Sequence, residues 1–365
     1  MIWKGDCDIP NQPPRTVLIH EWVTGGGLSG STLPASWAAE GRAMRRSIAA
    51  DFAALPKSSV RVVVTLDVRL PHDPGPWQTE PIAPGNYADR LRALARAADF
   101  TVLIAPETSG ILAGLTRDLT AAGARLLGST ALAVELAADK ACTAARLEEL
   151  SISTPPTRTI VPSAGLPSDT EYPAVLKPVD GAGSLDTFYL SDALSLPPAA
   201  LAMPRAVLQP FVPGTPMSAS FLVGPAGKAW LIGVGIQRVA VRDGRFQYLG
   251  GTLPAACPEA VPQLTKAVEA FAGLHGFVGV DFIWNEARQH AMILEINPRP
   301  TTSYVGIGRL LPAGLLARAW LTACEALEWE LETLAGLAEN VHAKPVLSFQ
   351  ADGELIDRDS GAFRS

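Results

Sequence analysis

Cysteine is scarce in this chain. The four residues Cys7, Cys142, Cys257 and Cys324 are scattered over 365 positions with no C-x-x-C pair. That pattern excludes a disulfide framework and a cysteine zinc site, and fits a reducing cytoplasm. No apolar run reaches the length of a membrane span, and the opening MIWKGDCDIPNQPPR does not read as a signal peptide. The expectation is a soluble, cytoplasmic protein. Basic charge is also short: 30 Lys and Arg stand against 36 Asp and Glu, for a net charge of −6, which leaves no basic footprint for nucleic acid. The five histidines sit in unrelated contexts, so no Ser, Cys or His nucleophile is assigned, and a G-x-x-x-x-G-K-[ST] phosphate loop is absent. What is present is 48% hydrophobic residues and 18% charged ones. In a chain of this length that supplies two or three packed layers and two domains.

The most informative stretch is VGVDFIWNEARQHAMILEINPRPTTSY, Val278 to Tyr304. Two β-branched and aromatic runs, Val278–Trp284 and Ala291–Asn297, flank a polar connection, which predicts a hairpin. Strand alternation puts Glu295 and Asn297 on one face, with Met292, Leu294 and Ile296 on the other. It sets Asp281 out of phase with Val280 and Phe282. A turn centred near Arg288 places Asp281 opposite Glu295 and Trp284 opposite Met292. Two carboxylates across a ladder repel unless they share a proton or bind a cation, and Asn297 adds a neutral oxygen suited to a hard ion such as Mg²⁺. The residues alone also allow a surface hairpin with solvated acids. Arg299, stiffened by Pro298 and Pro300, carries a planar, permanent charge suited to phosphate or acyl phosphate.

Ahead of it, residues 1 to about 15 read as a loose arm. Strands are expected at Val17–Trp22, Val60–Asp67, Phe100–Ala105 and Arg125–Leu127. Helices are expected over Ala35–Leu55, with Trp37, Met44, Ile48 and Phe52 as core, and over Ala88–Ala98. A Pro-rich loop follows Asp67. This is a Rossmann-like first domain. Gly25-x-Gly27-x-x-Gly30 formally fits a dinucleotide loop, but the acid at Asp67 lies 37 residues past Gly30 rather than about 20. Gly25, Gly26 and Gly27 are either a flexible turn or a substrate loop offering N–H groups to an anion. Glu107, just past a strand's carboxyl end, is a candidate for holding a cationic amine, with an exposed loop acid as the alternative.

From Leu132 the pattern changes. A helix over Ala133–Leu150 carries Lys140. A strand, Tyr172–Val179, buries Lys177 beside the loop Gly181-Ala182-Gly183-Ser184, and a lysine there is costly unless it meets an anion. The strand Ala206–Val212 carries Gln209, Phe211 and Val212, which could frame an adenine. Strands at Ser218–Val223 and Ala229–Val241, the latter with Arg238, precede a hairpin around Asp243-Gly244. Helices are expected at Val261–Gly273 and Leu315–Trp329, and a polar tail from about Asp352.

Asp281 with Glu295-Ile-Asn297-Pro-Arg299 resembles the signature of the ATP-grasp ligases. The order Lys140, Lys177, Gly181–Ser184, Gln209–Val212, Asp281, Glu295, Asn297, Arg299 extends that likeness over roughly residues 132–345. The resemblance implies an α/β and α+β chain: a Rossmann-like pre-ATP-grasp domain (16–131), then a two-lobed ATP-grasp domain (132–205 and 206–350), with 351–365 as tail. It implies Lys140, Lys177 and the 181–184 loop on ATP phosphates, and Phe211 and Val212 on adenine. Asp281, Glu295 and Asn297 would hold Mg²⁺ (Mn²⁺ would also serve), with Arg299 on an acyl phosphate. Where many relatives carry a ribose-binding acid, this chain has Thr215-Pro216-Met217. Glu21 with Thr24–Gly27, Ala105-Pro106-Glu107, Gln209–Val212 and Tyr248-x-Gly250-Gly251 look like the tyramine–glutamate ligase branch, which serves methanofuran-type cofactor biosynthesis. The expected function is therefore a carboxylate–amine ligase acting on small molecules, joining glutamate to tyramine or tyrosine. Arg238, Glu21, Gly25–Gly27, Glu107, Thr301 and Ser303 are its expected substrate contacts, and Thr302 belongs to the same run. A homodimer is allowed. The alternatives are a D-alanine–D-alanine-like ligase and a non-catalytic ATP-binding sensor.

Overall fold

The computed structural model describes residues 13–181, 186–325 and 334–356. The expected arm and the end of the tail lie largely outside them, as do Ala182, Gly183 and Ser184. The first sheet contains β1 (Arg15–Glu21), β2 (Val60–Asp67), β3 (Gln78–Ile82) and β4 (Phe100–Ile104), all parallel, in the order β3-β2-β1-β4. Its central strands are buried on both faces, as covered parallel sheets require. Helices α1 (Ala35–Ala53), α2 (Tyr87–Ala97) and α3 (Ile111–Ala121) follow β1, β3 and β4. β3 falls in the stretch expected to be a Pro-rich loop. It is an edge strand, where Pro81, lacking an N–H, does no harm. The expected strand at Arg125–Leu127 amounts to a single bridge, Thr101 to Leu126.

The helix expected over Ala133–Leu150 is two helices, α4 (Ala131–Ala138) and α5 (Lys140–Glu149). Asp139 breaks it: in an extended conformation, its carboxylate accepts the N–H groups of Ala141 and Cys142 as the cap of α5. The break frees the Lys140 N–H to bond Val179 O at 3.0 Å.

An eleven-stranded sheet follows. It includes β5 (Arg158–Ile160), β6 (Ala174–Pro178), β7 (Phe188–Leu190), β8 (Ala206–Pro210), β9 (Thr215–Val223), β10 (Ala229–Arg242) and β11 (Arg245–Leu253). β12 (Gly276–Asn285), β13 (His290–Asn297), β14 (Leu347–Phe349) and β15 (Leu355–Ile356) complete it. The order is β13-β12-β9-β10-β11-β7-β6-β8-β5, with β14 on β11 and β15 on β14, so part of the expected polar tail is strand. One residue pair, Arg245 with Phe188, joins β7 to β11, and β5–β8 enclose a small hydrophobic cluster of their own. The remaining helices are α6 (Val261–Glu269), α7 (Ser303–Leu310), α8 (Leu315–Glu325) and α9 (Leu337–His342).

The two sheets share one apolar core. Ile48 and Phe52 of α1 pack among Tyr304, Ile307, Leu316 and Trp320. Within it, Asp51 accepts the Gly314 and Ala317 N–H groups, each at 2.6 Å, and the Tyr304 hydroxyl at 2.9 Å.

His20 is fully buried between Thr65 Oγ1 (2.7 Å) and Tyr87 Oη (3.0 Å). Burial first, and the Arg45 charge second, hold its pKa down at about 3. Below the unfolded value near 6.5, the unfolded chain therefore binds a proton that the folded one refuses, and stability falls with pH. Between pH 7.5 and 5 the wild type should lose about 2 kcal/mol more than a His20→Gln variant in urea unfolding. Equal losses would show that His20 is not kept neutral by the fold.

Candidate active site

A cleft of about 560 Å³ lies between the two sheets, within the size range of small-molecule sites. The first sheet meets it at the carboxyl ends of β1 and β4, through Glu21, Trp22, Ile104, Ala105 and Pro106. These two strands flank the point where strand order reverses, which is where open α/β sheets place ligands.

The hairpin β12–β13 forms one wall. Asp281 pairs directly with Glu295, as the sequence arithmetic expects, but Trp284 pairs with Ala291 rather than Met292. The register shifts between Asp281 and Phe282, leaving Leu294 as the extra residue of a β-bulge. A bulge resets alternation, so Leu294 lines the cleft beside Glu295 and Asn297 instead of facing away, while Ile293 and Ile296 are in the core.

Burial, then the charge of Glu295, push the Asp281 carboxyl well above its usual range. Its oxygens accept from Gln237 Nε2 (2.9 Å) and Asn297 Nδ2 (3.2 Å). For Glu295, burial works upward, but Lys140 and Lys177 outweigh it and hold the group ionised. Lys140 Nζ stands 3.5 Å from Glu295 and donates to Gly181 O at 2.9 Å. Lys177 is 7% exposed. Burial brings it down to about 8, against the opposing pull of Glu295, and its Nζ has no ion pair or hydrogen bond among the described residues. A buried lysine with no bonded partner among the described residues has the character that a phosphate would match. Among the described residues, no three His, Cys, Asp or Glu side chains gather as a metal cage. The fit for a cation is the pair of abutting acids, whose repulsion a hard ion would relieve, and the Asn297 amide supplies a further oxygen.

Gln209, Phe211 and Val212 line the opposite wall. Gln209 donates to Thr157 Oγ1 at 2.8 Å, and the Phe211 N–H is already spent on Pro173 O at 2.8 Å. Of the two backbone donors expected for adenine, the Val212 N–H is the one left open. Thr301, Thr302 and Ser303 reach the cleft at the start of α7. Thr302 is within 3.1 Å of the Tyr248 hydroxyl.

Arg299 lines the cleft with Nε 2.9 Å from Glu107 Oε1. That distance makes an ion pair, but the contact is not aligned as a hydrogen bond, so neither Glu107 oxygen has a donor among the described residues. Glu107 is 3% exposed and lies behind the lining. It faces Arg299 rather than the open space where an amine would enter.

Of the further expected contacts, Gly25, Gly26, Gly27 and Arg238 lie outside the cleft lining. Gly25 and Gly27 spend their N–H groups on Glu21 O and Trp22 O. A Cβ at Gly25 would stand 2.5 Å from Glu21 O, and Gly26 has φ +98°; close packing of the turn, not anion binding, explains this run. Glu21 does line the cleft, but its oxygens accept from Val23 N, Thr24 N and Thr24 Oγ1. Arg238 lies out of phase with the lining residues Gln237 and Val239. It donates to Leu249 O and Phe349 O, each at 2.7 Å, tying β11 to β14. Gly250, at φ +114°, is required where it passes Arg238 and Phe349, which gives the Tyr248-x-Gly250-Gly251 run its structural reason.

Trp37, expected in the core, is exposed and lines the cleft together with Glu40 and Gly41, while Met44 is in the core as expected and also reaches the cleft. Glu40 was missed, and the available signal was the spacing 37, 40, 41, 44 along one face of α1.

Residues 137–303 match the family model of the ATP-grasp domain, and residues 60–134 that of the pre ATP-grasp 3 domain. The chain is 31% identical over 212 residues to tyramine–L-glutamate ligase of Methanocaldococcus fervens, covering 57% of this chain and 61% of that protein. It is 28% identical over 224 residues to the enzyme of the same name from Methanocaldococcus jannaschii, covering 60% and 62%. The matched region thus spans about three-fifths of each curated relative. Among solved structures, one described as an ATP-grasp superfamily protein from Archaeoglobus fulgidus superposes with a TM-score of 0.65 at 22% identity, covering 92% of both chains. That likeness is one of fold.

Proposed function

We propose, from the chain's place in the ATP-grasp superfamily, that it is an ATP-dependent carboxylate–amine ligase. The observation that carries this is one cleft holding a facing acid pair, two buried lysines and an arginine. In the reaction, the γ-phosphoryl group passes from ATP to a substrate carboxylate and ADP leaves. The neutral amine nitrogen then bonds to the carbonyl carbon as the bond to phosphate breaks, and the phosphate leaves with the proton that the amine gives up. Lys140 and Lys177 hold the phosphates, Gln209, Phe211 and Val212 frame the adenine, and Arg299 faces the acyl phosphate, aided by Thr301 and Ser303. Asp281, Glu295 and Asn297 would hold Mg²⁺ or Mn²⁺, which neutralises phosphate charge. Catalysis of this kind is positioning and charge compensation.

The finer reading is glutamate as acid and tyramine or tyrosine as amine, in the making of a methanofuran-type one-carbon cofactor. The similarity to the two tyramine–L-glutamate ligases supports it, as does the aromatic and apolar lining of Trp22, Trp37 and Met44. ADP release measured with a panel of acids and amines should rise with glutamate plus tyramine or tyrosine. Stimulation by D-alanine alone would make this a dipeptide ligase, and ATP binding without turnover would make it a sensor.

A further inference from the structure

The acids that line the cleft are not equally free. Glu21 is saturated by Val23 and Thr24, Asp281 is held by Gln237 and Asn297, and Glu295 faces Lys140. Glu40, on the cleft face of α1, has neither hydrogen bond nor ion pair among the described residues. Arg299 feels its charge but is committed to Glu107 at 2.9 Å. Trp37 and Met44 lie one turn to either side of Glu40, on the same face. Gly41 lets this face close onto the first sheet, because a Cβ there would overlap the Glu21 carboxylate.

We propose that Glu40 binds the ammonium group of the amine substrate, while Trp37 and Met44 cover its apolar body. An unpaired carboxylate in a partly desolvated cleft attracts a cation, and an aromatic face beside it adds cation–π and stacking contact. The lysines and Arg299, by contrast, suit the anionic substrates. The cleft is thereby divided: anions at the hairpin end, an aromatic ammonium at the α1 end. This rests on the ligase reading, and the test keeps the two separable.

The experiment is steady-state ADP release by the full chain with ATP, glutamate and tyramine, in wild type, Glu40→Gln and Trp37→Ala. Glu40→Gln should raise the KM for the amine ten- to hundredfold, leaving the KM values for ATP and glutamate within about twofold. Its thermal unfolding should stay close to the wild type, because the change is isosteric and Glu40 makes no hydrogen bond or ion pair among the described residues. Trp37→Ala should erode the preference for tyramine over an alkylamine. With the wild type, the alcohol analogue of tyramine should inhibit at least tenfold more weakly than tyramine binds. An unchanged amine KM in Glu40→Gln, or equal binding of alcohol and amine, overturns the assignment while leaving the ligase intact. Absence of amine-stimulated turnover in the wild type overturns both.

Discussion

Replacing Glu295 with glutamine is expected to lower ADP release by a factor on the order of 10³ and, without Mg²⁺, to lower the melting temperature. The two effects come from the same atoms. Glu295 faces Asp281 across the ladder but is held ionised by Lys140 and Lys177, so removing its charge strands two buried lysines, a loss that easing the raised Asp281 carboxyl does not offset. The same change removes the group that faces Lys140 and the anionic half of the proposed cation site. Loss of a purely structural carboxylate would lower stability in the same way but would leave the response to Mg²⁺ unchanged. Thermal melts with and without Mg²⁺ decide the matter. The wild type should rise with the ion by mass action and the variant should not. A Mg²⁺-dependent rise of equal size in the variant would remove Glu295 from the cation site.

Arg299→Ala is expected to cost on the order of 10²–10³ in turnover, if it resembles loss of one preorganised donor to a developing oxyanion. It should also destabilise, by about 3–5 kcal/mol, because Glu107 is then left buried without its cation. Burial alone would weaken the Arg299 charge, and Glu107, with Glu40 behind it, holds that charge firm. The double variant Arg299→Ala/Glu107→Gln separates the two losses. It should regain most of the stability and none of the rate. Recovery of turnover along with stability would mean that Arg299 serves the fold and not the reaction.

How much of this was legible in the sequence depended on whether the deciding force was local. Asp281 opposite Glu295 could be read because a short hairpin fixes register through its turn. The bulge at Leu294 could not, because nothing in HAMILEIN marks which residue is left unpaired. Asp139 carried a readable signal, as a strong capping residue set before a lysine, yet helical periodicity on either side masked it. Arg238 was placed by its type rather than its phase. Counting from Gln237 would have turned it to the other face. Glu107 and Arg299 lie far apart in sequence, and long-range packing, including that of α1 against α7 and α8, brings the first sheet up to the second. Glu40 escaped notice because a single acid on an amphipathic helix ordinarily faces water.

Asp51 has a consequence for how ligands are met. By fastening α1 to the start of α8 and to Tyr304, it welds the helix that bears Glu40 to the segment that follows Arg299. The β5–β8 unit has an apolar cluster of its own and meets β11 through a short ladder at Arg245 and Phe188. A ligand in the cleft would therefore meet Glu40 and Arg299 at a spacing set by this fastening, and Lys177 from the β5–β8 unit.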